Sequence, residues 1–366
     1  MGDPTELNIL PLHAMHASAG AKFGAFAGWN MPLSYPLGVL KEHVHVREHA
    51  GLFDISHMRL VQVDGKDAAR MLSLACPLDA ESLGTGASKY TFLLNDQSGI
   101  IDDLIVTRLG DNRFMVVANA SRAAIDVATL RDIAGDLDCT VNPLDRVFLA
   151  LQGPEAAAVM ADAGYDTSDM AFMSGQEPAP GWFLTRSGYT GEDGFEIGLP
   201  ADEAEQLARK LTDDPRVEWI GLAARDSLRL EAGLCLYGQD LDEETDPVSA
   251  SLTWAIAKSL RSGGPYRGAD ALAATFASGP IQKRVGLKAE GRMPVRGGDL
   301  FAEDGAPAGR ITSGGFGPSV NHPVAMGYVT SALAVPGNRV FTDVRGKQVP
   351  LDIVKLPFTP KRSNKG

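Results

Sequence analysis

Two adjacent carboxylates, Asp102 and Asp103, lie inside the otherwise apolar segment Ser98–Val106. Burying a charge is costly unless a partner stabilises it or a reaction uses it. Because side chains alternate between the two faces of a strand, these carboxylates are expected to point in opposite directions. One of them can act as a general acid or base, or stabilise a cationic intermediate, while the other meets solvent or a structural partner. The alternative is that one faces solvent while the other caps a turn or pairs with an arginine.

A glycine-rich segment, Arg186–Glu196, lies between two apolar runs and is a second candidate site. Its glycines let the backbone approach a ligand closely, and Tyr189 can stack on a ring or form a hydrogen bond. Glu196 can accept two parallel hydrogen bonds from the adjacent N–H groups of a guanidine-like ring edge. A tight hairpin with exposed acids remains the alternative. The segment is not a dinucleotide-binding fingerprint, because no G-x-G-x-x-G follows a strand.

Two arginines, Arg225 and Arg229, are spaced i, i+4 on the helix expected between Gly221 and Gly233. Like charges at this spacing repel unless they are paired. We therefore expect one arginine to bind a carboxylate of a ligand and the other to be held by acids of the protein.

Histidines and cysteines give weaker signals. His45 and His49 would share a helix face, but no acidic or cysteine ligand set accompanies them, so no metal site is predicted. Cys235 has apolar neighbours, which favours an inert buried thiol over a nucleophile. Three widely spaced cysteines indicate reduced thiols rather than a disulfide framework.

Composition excludes several classes of protein. The formal net charge of −12 argues against nucleic-acid binding, which usually needs a basic surplus. No apolar run is long enough to span a bilayer. The acidic start, Met1–Glu6, resembles neither a signal peptide nor an arginine-rich mitochondrial leader, so the bacterial cytosol is expected in preference to the mitochondrial matrix.

Helical and strand patterns alternate with short hairpin turns, which predicts an α+β fold with antiparallel sheets. The region 1–280 is expected to hold two similar α+β units with a boundary near residue 140. From about residue 281 to 366, short β segments alternate with Gly/Pro turns and predict a small C-terminal β-barrel. In the first unit, Phe53–Val63 is predicted to form one strand, and the first forty residues an irregular arm.

Seven blocks of this sequence, in the same order, resemble the glycine-cleavage T-protein (aminomethyltransferase) family. They are Phe26–Pro32, Gly51–Met58, Gly99–Val106, Gly188–Ile197, Ala224–Gly233, Leu236–Asp240 and Ala325–Tyr328. The resemblance implies a three-domain cloverleaf ring, with two ferredoxin-like α+β domains and a small barrel around a channel that binds tetrahydrofolate. It also implies a partner, the H-protein, whose lipoyl arm brings the aminomethyl group.

The resemblance implies roles for individual residues. Asp103 matches the catalytic carboxylate, Glu196 the ligand of the pterin ring, and Arg225 an arginine that contacts folate. Further positions match residues that line the folate pocket: Met58, Tyr90, Asn119, Tyr189, Tyr237 and Trp254. Two departures from the family pattern are Arg59, where a small residue is usual, and the tail after Phe358, which lacks an aromatic residue.

Two other functions are compatible with such a fold. One is a folate-dependent demethylase that takes its carbon from a free methylated small molecule. The other is a non-catalytic folate-binding protein of iron–sulfur maturation, but relatives of that kind carry a Lys-Gly-Cys motif that this chain lacks around Cys235.

Overall fold

The computed structural model describes residues 7–362 and has a mixed α+β architecture. The helices are α1 (His13–Ser18), α2 (Val39–Glu48), α3 (Ala68–Ala75), α4 (Ala123–Ala134), α5 (Ala156–Asp162), α6 (Ala201–Thr212), α7 (Leu222–Glu231) and α8 (Ala269–Ser278). Two short 3₁₀ segments, Thr253–Ala255 and Lys258–Leu260, precede α8.

The strands of the first half are β1 (Asn8–Ile9), β2 (Lys22–Phe26), β3 (Trp29–Ser34), β4 (Ala50–Asp54), β5 (Arg59–Asp64), β6 (Ser88–Leu94), β7 (Ile100–Gly110), β8 (Arg113–Ala118), β9 (Thr140–Leu144) and β10 (Val147–Gln152). Those of the second half are β11 (Ser174–Gln176), β12 (Phe183–Arg186), β13 (Gly194–Leu199), β14 (Val217–Trp219), β15 (Gln282–Ala289), β16 (Gly298–Phe301), β17 (Pro307–Gly317), β18 (His322–Thr330), β19 (Arg339–Val344) and β20 (Lys347–Val354).

These strands form three open sheets and one barrel. The open sheets have the orders β1-β3-β2, β11-β12-β13-β10-β4-β14 and β6-β7-β8-β5-β9. The barrel closes in the order β15-β18-β17-β16-β19-β20. Neighbouring strands are antiparallel except for β1 with β3 and β14 with β4. The predicted α+β class with antiparallel sheets and a C-terminal barrel is confirmed.

The five-stranded sheet separates Asp102 from Asp103. In the β6–β7 ladder Asp102 lies opposite Leu93, and Asp103 lies opposite Phe92. Leu93 belongs to the core that the sheet shares with α3 and α4, which we call the back face. Phe92 belongs to a different core on the front face. The alternation of side chains therefore directs the two carboxylates as the sequence predicts.

The single strand predicted over Phe53–Val63 is wrong. The structure has β4 in the six-stranded sheet and β5 in the five-stranded sheet, joined by a turn. Asp54 stabilises this turn, because its Oδ1 accepts hydrogen bonds from the backbone N and the hydroxyl of Ser56 at 2.9 and 2.5 Å. A short polar side chain that bonds to the backbone two residues ahead interrupts a strand.

The irregular arm predicted for the first forty residues is also wrong, because it contains α1 and the β2–β3 hairpin. The two residues between the strands, Ala27 and Gly28, have φ angles of 49° and 81°. Positive φ at both positions is typical of the tight turns that join twisted antiparallel strands. Among the described helices, none is long and apolar enough to cross a membrane.

Candidate active site

Asp103 is a partly buried carboxylate held by two donors. The hydroxyl of Tyr90 donates to its Oδ2 at 2.8 Å, and Asn119 Nδ2 donates to its Oδ1 at 2.9 Å. Burial, and next the charge of Asp102, raise the pKa of Asp103 to about 7. The group is thus fixed in position and changes charge close to neutral pH, as a general acid or base requires.

Asn119 connects the two faces of the sheet. It follows β8 and lies beside the two acids of β7, where its Nδ2 also donates to Asp102 Oδ1 at 2.9 Å. Its backbone N donates to Asp102 Oδ2 at 3.1 Å. Asp102 is fully buried, and its pKa rises to about 9 because of burial and the nearby Asp126. Asp102 is therefore a buried acid of the core, and its surroundings favour the protonated form.

Aromatic side chains lie on the front face around Tyr90, the hydroxyl donor to Asp103. Trp254 stacks on Tyr90 with ring centroids 5.5 Å apart, yet it remains 64% exposed. Tyr237 donates its hydroxyl to the carbonyl of Ile100 at 3.0 Å, and the guanidinium of Arg122 lies 5.1 Å from its ring. The exposed face of Trp254 thus marks a solvent-accessible approach to the Tyr90–Asp103 pair.

Glu196 is a buried carboxylate of the six-stranded sheet. Ser187 donates to its Oε2 at 2.9 Å, and no donor among residues 7–362 reaches its Oε1. Burial raises the pKa of Glu196, while the charge of Arg225 opposes the rise. Ser187 belongs to the glycine-rich loop, so the loop and the strand β13 together build this acceptor.

Arg225 is a buried cation with few partners. Its Nη1 finds no hydrogen-bond acceptor within the described part of the chain. The guanidinium lies over the ring of Tyr189, 4.7 Å from its centroid, and Tyr189 donates its hydroxyl to the carbonyl of Cys235. Because an unpaired buried donor is costly, Arg225 is well placed to receive an acceptor from a bound molecule.

His57 was not singled out by the sequence reading, yet it lies beside this arginine. Burial and the charge of Arg225 lower the pKa of His57 to about 3, so its imidazole is neutral at physiological pH. Within residues 7–362 its Nδ1 has no hydrogen-bond partner. The following residue, Met58, is partly buried and packs in the core that includes Phe53 and Leu228 of α7. A histidine in a strand-breaking turn gave no periodic signal in the sequence.

The predicted site residues fall into two groups. Asp103, Tyr90, Asn119, Trp254 and Tyr237 lie on the five-stranded sheet and its neighbours, as the contacts above describe. Glu196, Arg225 and Tyr189 lie on the six-stranded sheet and α7. The groups interact electrostatically, since the charge of Asp103 contributes to the raised pKa of Tyr189.

Arg229 differs sharply from Arg225. Its guanidinium donates to Asp226 and Asp240 at 2.8 Å and to Ser313 at 3.0 Å. Ser313 belongs to the barrel strand β17, so Arg229 joins α7 to the barrel. The helix therefore carries one fully paired arginine and one with a free donor.

We expect Arg229→Leu to lower the free energy of unfolding by about 3 to 5 kcal/mol, because it leaves Asp240 buried without its cation. Arg225→Leu is the matched control and should have a much smaller effect, since it breaks no ion pair. Urea unfolding of the three proteins measures this difference. Equal losses for the two variants would contradict the assignment of Arg229 to structure and Arg225 to a ligand.

Other residues considered from the sequence lie outside both groups. His45 Nε2 contacts the carbonyls of Ala50 and Arg216, and His49 pairs with Glu155. Arg59 donates to the carbonyl of Leu144 at the edge of β9, so it does not enter the site.

The C-terminal tail runs back over α7. The backbone N of Phe358 donates to the carbonyl of Glu231 at 2.8 Å, and that of Arg362 donates to the carbonyl of Gly191. Gly191 belongs to the glycine-rich loop. The tail therefore braces the loop that carries Tyr189 from the side of the barrel.

Comparison with known proteins accounts for nearly the whole chain. Residues 12–259 match the GCVT N-terminal domain, and residues 282–359 match the glycine cleavage T-protein C-terminal barrel domain. Mitochondrial aminomethyltransferase of Gallus gallus is 40% identical over 98% of this chain and 94% of its own length. The Homo sapiens enzyme is 38% identical over 97% of this chain and 90% of its own.

A solved structure agrees with these matches. The crystal structure of glycine cleavage system aminomethyltransferase T from Bartonella henselae superposes with a TM-score of 0.96 at 57% identity, covering 98% of this chain and all of that one. The fold and the matched sequence thus define an enzyme of the transferase class. The chain belongs to the glycine cleavage T-protein (aminomethyltransferase) family.

Proposed function

We propose that this enzyme transfers the aminomethyl-derived carbon from the dihydrolipoyl arm of an H-protein to tetrahydrofolate, forming methylene-tetrahydrofolate and releasing ammonia. The observation that carries the proposal is Asp103, a fixed carboxylate on the front face of its sheet with a pKa near neutrality. A transfer that passes through a cationic one-carbon fragment needs such a group.

The second group of site residues suits a folate. Glu196 offers an Oε1 acceptor for the N–H groups of an amino-pyrimidinone edge, with Ser187 fixing the other oxygen. Arg225 offers a donor for a carbonyl or carboxylate oxygen of the same molecule. We assign both residues to tetrahydrofolate, with Tyr189 positioning Arg225 and Met58 contributing an apolar contact.

The residues around Asp103 suit the part of the folate that receives the carbon. We assign Tyr90 and Asn119 to holding Asp103, and Tyr237 and Trp254 to lining the space in front of it. Trp254 is exposed, so it can meet an arm that arrives from a partner protein. The lipoyl group belongs to that partner.

The chemistry needs protons to move from folate to the leaving groups. The carbon of the S–CH₂–NH₃⁺ group forms bonds to two folate nitrogens, which lose their hydrogens, while the C–S and C–N bonds break to give a thiol and ammonium. Asp103 in its ionised form stabilises the positive carbon fragment and accepts a proton from a folate nitrogen. Protonated Asp103 can do neither.

We expect activity to rise with pH through about 7 in the free enzyme, because the carboxyl of Asp103 must lose its proton to act. A profile of kcat/KM against pH from 5.5 to 8.5, roughly, covers this ionisation. The acidic limb should disappear with Asp103→Asn, whose residual activity is expected to be independent of this ionisation. An acidic limb that persists in the variant would assign the ionisation to another group.

An assay of the purified enzyme with H-protein carrying the aminomethyl-lipoyl arm tests the proposed function. We expect methylene-tetrahydrofolate and ammonia in equal amounts, with both partners required. Turnover with a free methylated amine or sulfonium in place of the H-protein would support the demethylase instead. Folate binding without either turnover would support the non-catalytic class.

We further propose that residues 1–280 form the folate-binding part in two α+β units with a boundary near 140, and that residues 281–366 form the barrel. The matched family segments support a division between 259 and 282. For the compartment we propose a bacterial cytosol, which the bacterial structural relative supports, although the curated relatives named above are mitochondrial.

A further inference from the structure

We propose that Asp126 is a positioning residue for the transfer: it shares one proton with Asp102 behind the sheet and thereby sets the charge that Asp103 experiences. This inference rests on the proposed role of Asp103. It concerns a buried acid that the reaction does not touch and that the sequence reading did not single out.

The first observation is the burial of two carboxylates at one place. Asp102 on β7 and Asp126 in the first turn of α4 are both fully inaccessible to solvent. The two carboxyl groups lie within hydrogen-bonding range of each other. Two charged carboxylates cannot remain together in an apolar core, so such a pair keeps a proton.

The second observation is that Asp126 has no other partner. Neither of its oxygens receives a hydrogen bond from a donor in the described part of the chain. A buried carboxylate without donors is strongly disfavoured, but one that shares a proton with a neighbouring carboxylate is satisfied. Asp102 already accepts two hydrogen bonds from Asn119, and Asp126 is its other side-chain partner.

The titratable groups around the Asp102–Asp126 pair act on it through charge, and none among residues 7–362 donates a hydrogen bond to Asp126. Burial raises the pKa of the Cys76 thiol to about 12, so it stays neutral. Arg122, just before α4, lowers the pKa of Asp126 through its charge but directs its Nε to the carbonyl of Ile101. The remaining titratable groups that interact with the pair are Tyr237 and Asp103.

Asn119 connects Asp102 behind the sheet with Asp103 on its front face. Its Nδ2 group lies 2.9 Å from an oxygen of Asp102 and 2.9 Å from an oxygen of Asp103. The charge of Asp102 is also a cause of the raised pKa of Asp103. Sharing a proton with Asp126 spreads that charge away from Asp103, whereas a fully ionised Asp102 would concentrate it there.

Two substitutions at Asp126 should move the activity profile in opposite directions. In Asp126→Asn the amide donates to Asp102 and leaves it ionised, so the acidic limb of kcat/KM should move up by about half a pH unit or more. In Asp126→Leu the added apolar surroundings keep Asp102 protonated, so the limb should move down. Asp132→Asn, an exposed change on the same helix, should leave the limb in place.

A structural role alone would lower kcat without moving the limb, and that result for Asp126→Asn would overturn the proposal. Shifts of the same sign in both variants would do so as well. If Asp126→Leu fails to fold, the Asp126→Asn variant still tests the proposal, because asparagine has nearly the same shape as aspartate.

A measurement without substrates separates this proposal from the proposed function. In an Asp103→Asn background at pH 7, we expect the infrared spectrum of the protein minus that of the same protein carrying Asp126→Asn to contain the carbonyl stretch of one protonated carboxyl. Other buried acids such as Glu196 contribute equally to both spectra and cancel, and the corresponding difference for Asp132→Asn should contain no such band. Absence of the band from the Asp126→Asn difference would refute the shared proton, whatever the enzyme transfers.

Discussion

Replacing Asp103 by asparagine is expected to lower kcat by about two to four orders of magnitude. The amide keeps the shape of the carboxyl, but it carries no negative charge and cannot accept a proton from a folate nitrogen. The hydrogen bonds from Tyr90 and Asn119 require one oxygen acceptor each, so the substituted side chain loses part of its support as well. The dissociation constant for tetrahydrofolate should change little, since Glu196 and Arg225 are untouched.

Single-turnover transfer from aminomethyl-loaded H-protein measures the rate, and fluorescence or calorimetric titration measures folate binding. Asp96→Asn is the matched control, because Asp96 lies in the turn of the same hairpin and pairs with Arg267 at the surface. Wild-type turnover by the Asp103 variant would remove Asp103 from the reaction. A large loss in the Asp96 variant would show that the hairpin is merely sensitive to change.

Replacing Glu196 by alanine is expected to weaken tetrahydrofolate binding by about ten- to one hundred-fold, because the substitution removes a charged hydrogen-bond acceptor. The rate at saturating folate should fall much less, because Asp103 and its donors remain. Ser187→Ala is a graded companion: it removes one donor to Glu196 Oε2 and should weaken binding by a smaller factor.

Titration of folate into the apoenzyme, followed by turnover at saturation, separates these effects. A dissociation constant equal to that of the wild type would place Glu196 outside the folate site. Loss of saturated rate with unchanged binding would instead indicate that Glu196 acts on the reacting carbon.

Much of the site could be predicted from local pattern. The alternation along Ser98–Val106 was sufficient to put Asp102 and Asp103 on opposite faces, because a strand allows no other arrangement. The i, i+4 spacing of Arg225 and Arg229 was sufficient to expect that both could not stay unpaired. The sequence could not say which arginine is paired, since that depends on how the chain after α7 folds back to place Asp240 beside Arg229, with Ser313 of the barrel bonded to both.

The features missed by the sequence reading depend on tertiary contacts. Asp126 looked like an ordinary acid near the start of α4, and only the packing of α4 on the sheet brings it to Asp102. The break between β4 and β5 arises from the side chain of Asp54, which resembles any strand-edge acid in the sequence. His57 and Ser187 are recognised as site residues only in the folded structure, where Arg225 acts on His57 and Ser187 donates to Glu196.

A crystal structure of the enzyme with a reduced folate tests the central claim most directly. The decisive quantity is the distance from the nearer Asp103 oxygen to the folate nitrogens that receive the carbon. We expect hydrogen-bonding reach, about 3 Å directly or through one water, with the amino-pyrimidinone edge on Glu196. A folate bound elsewhere, or one whose acceptor nitrogens face away from Asp103, would contradict the account.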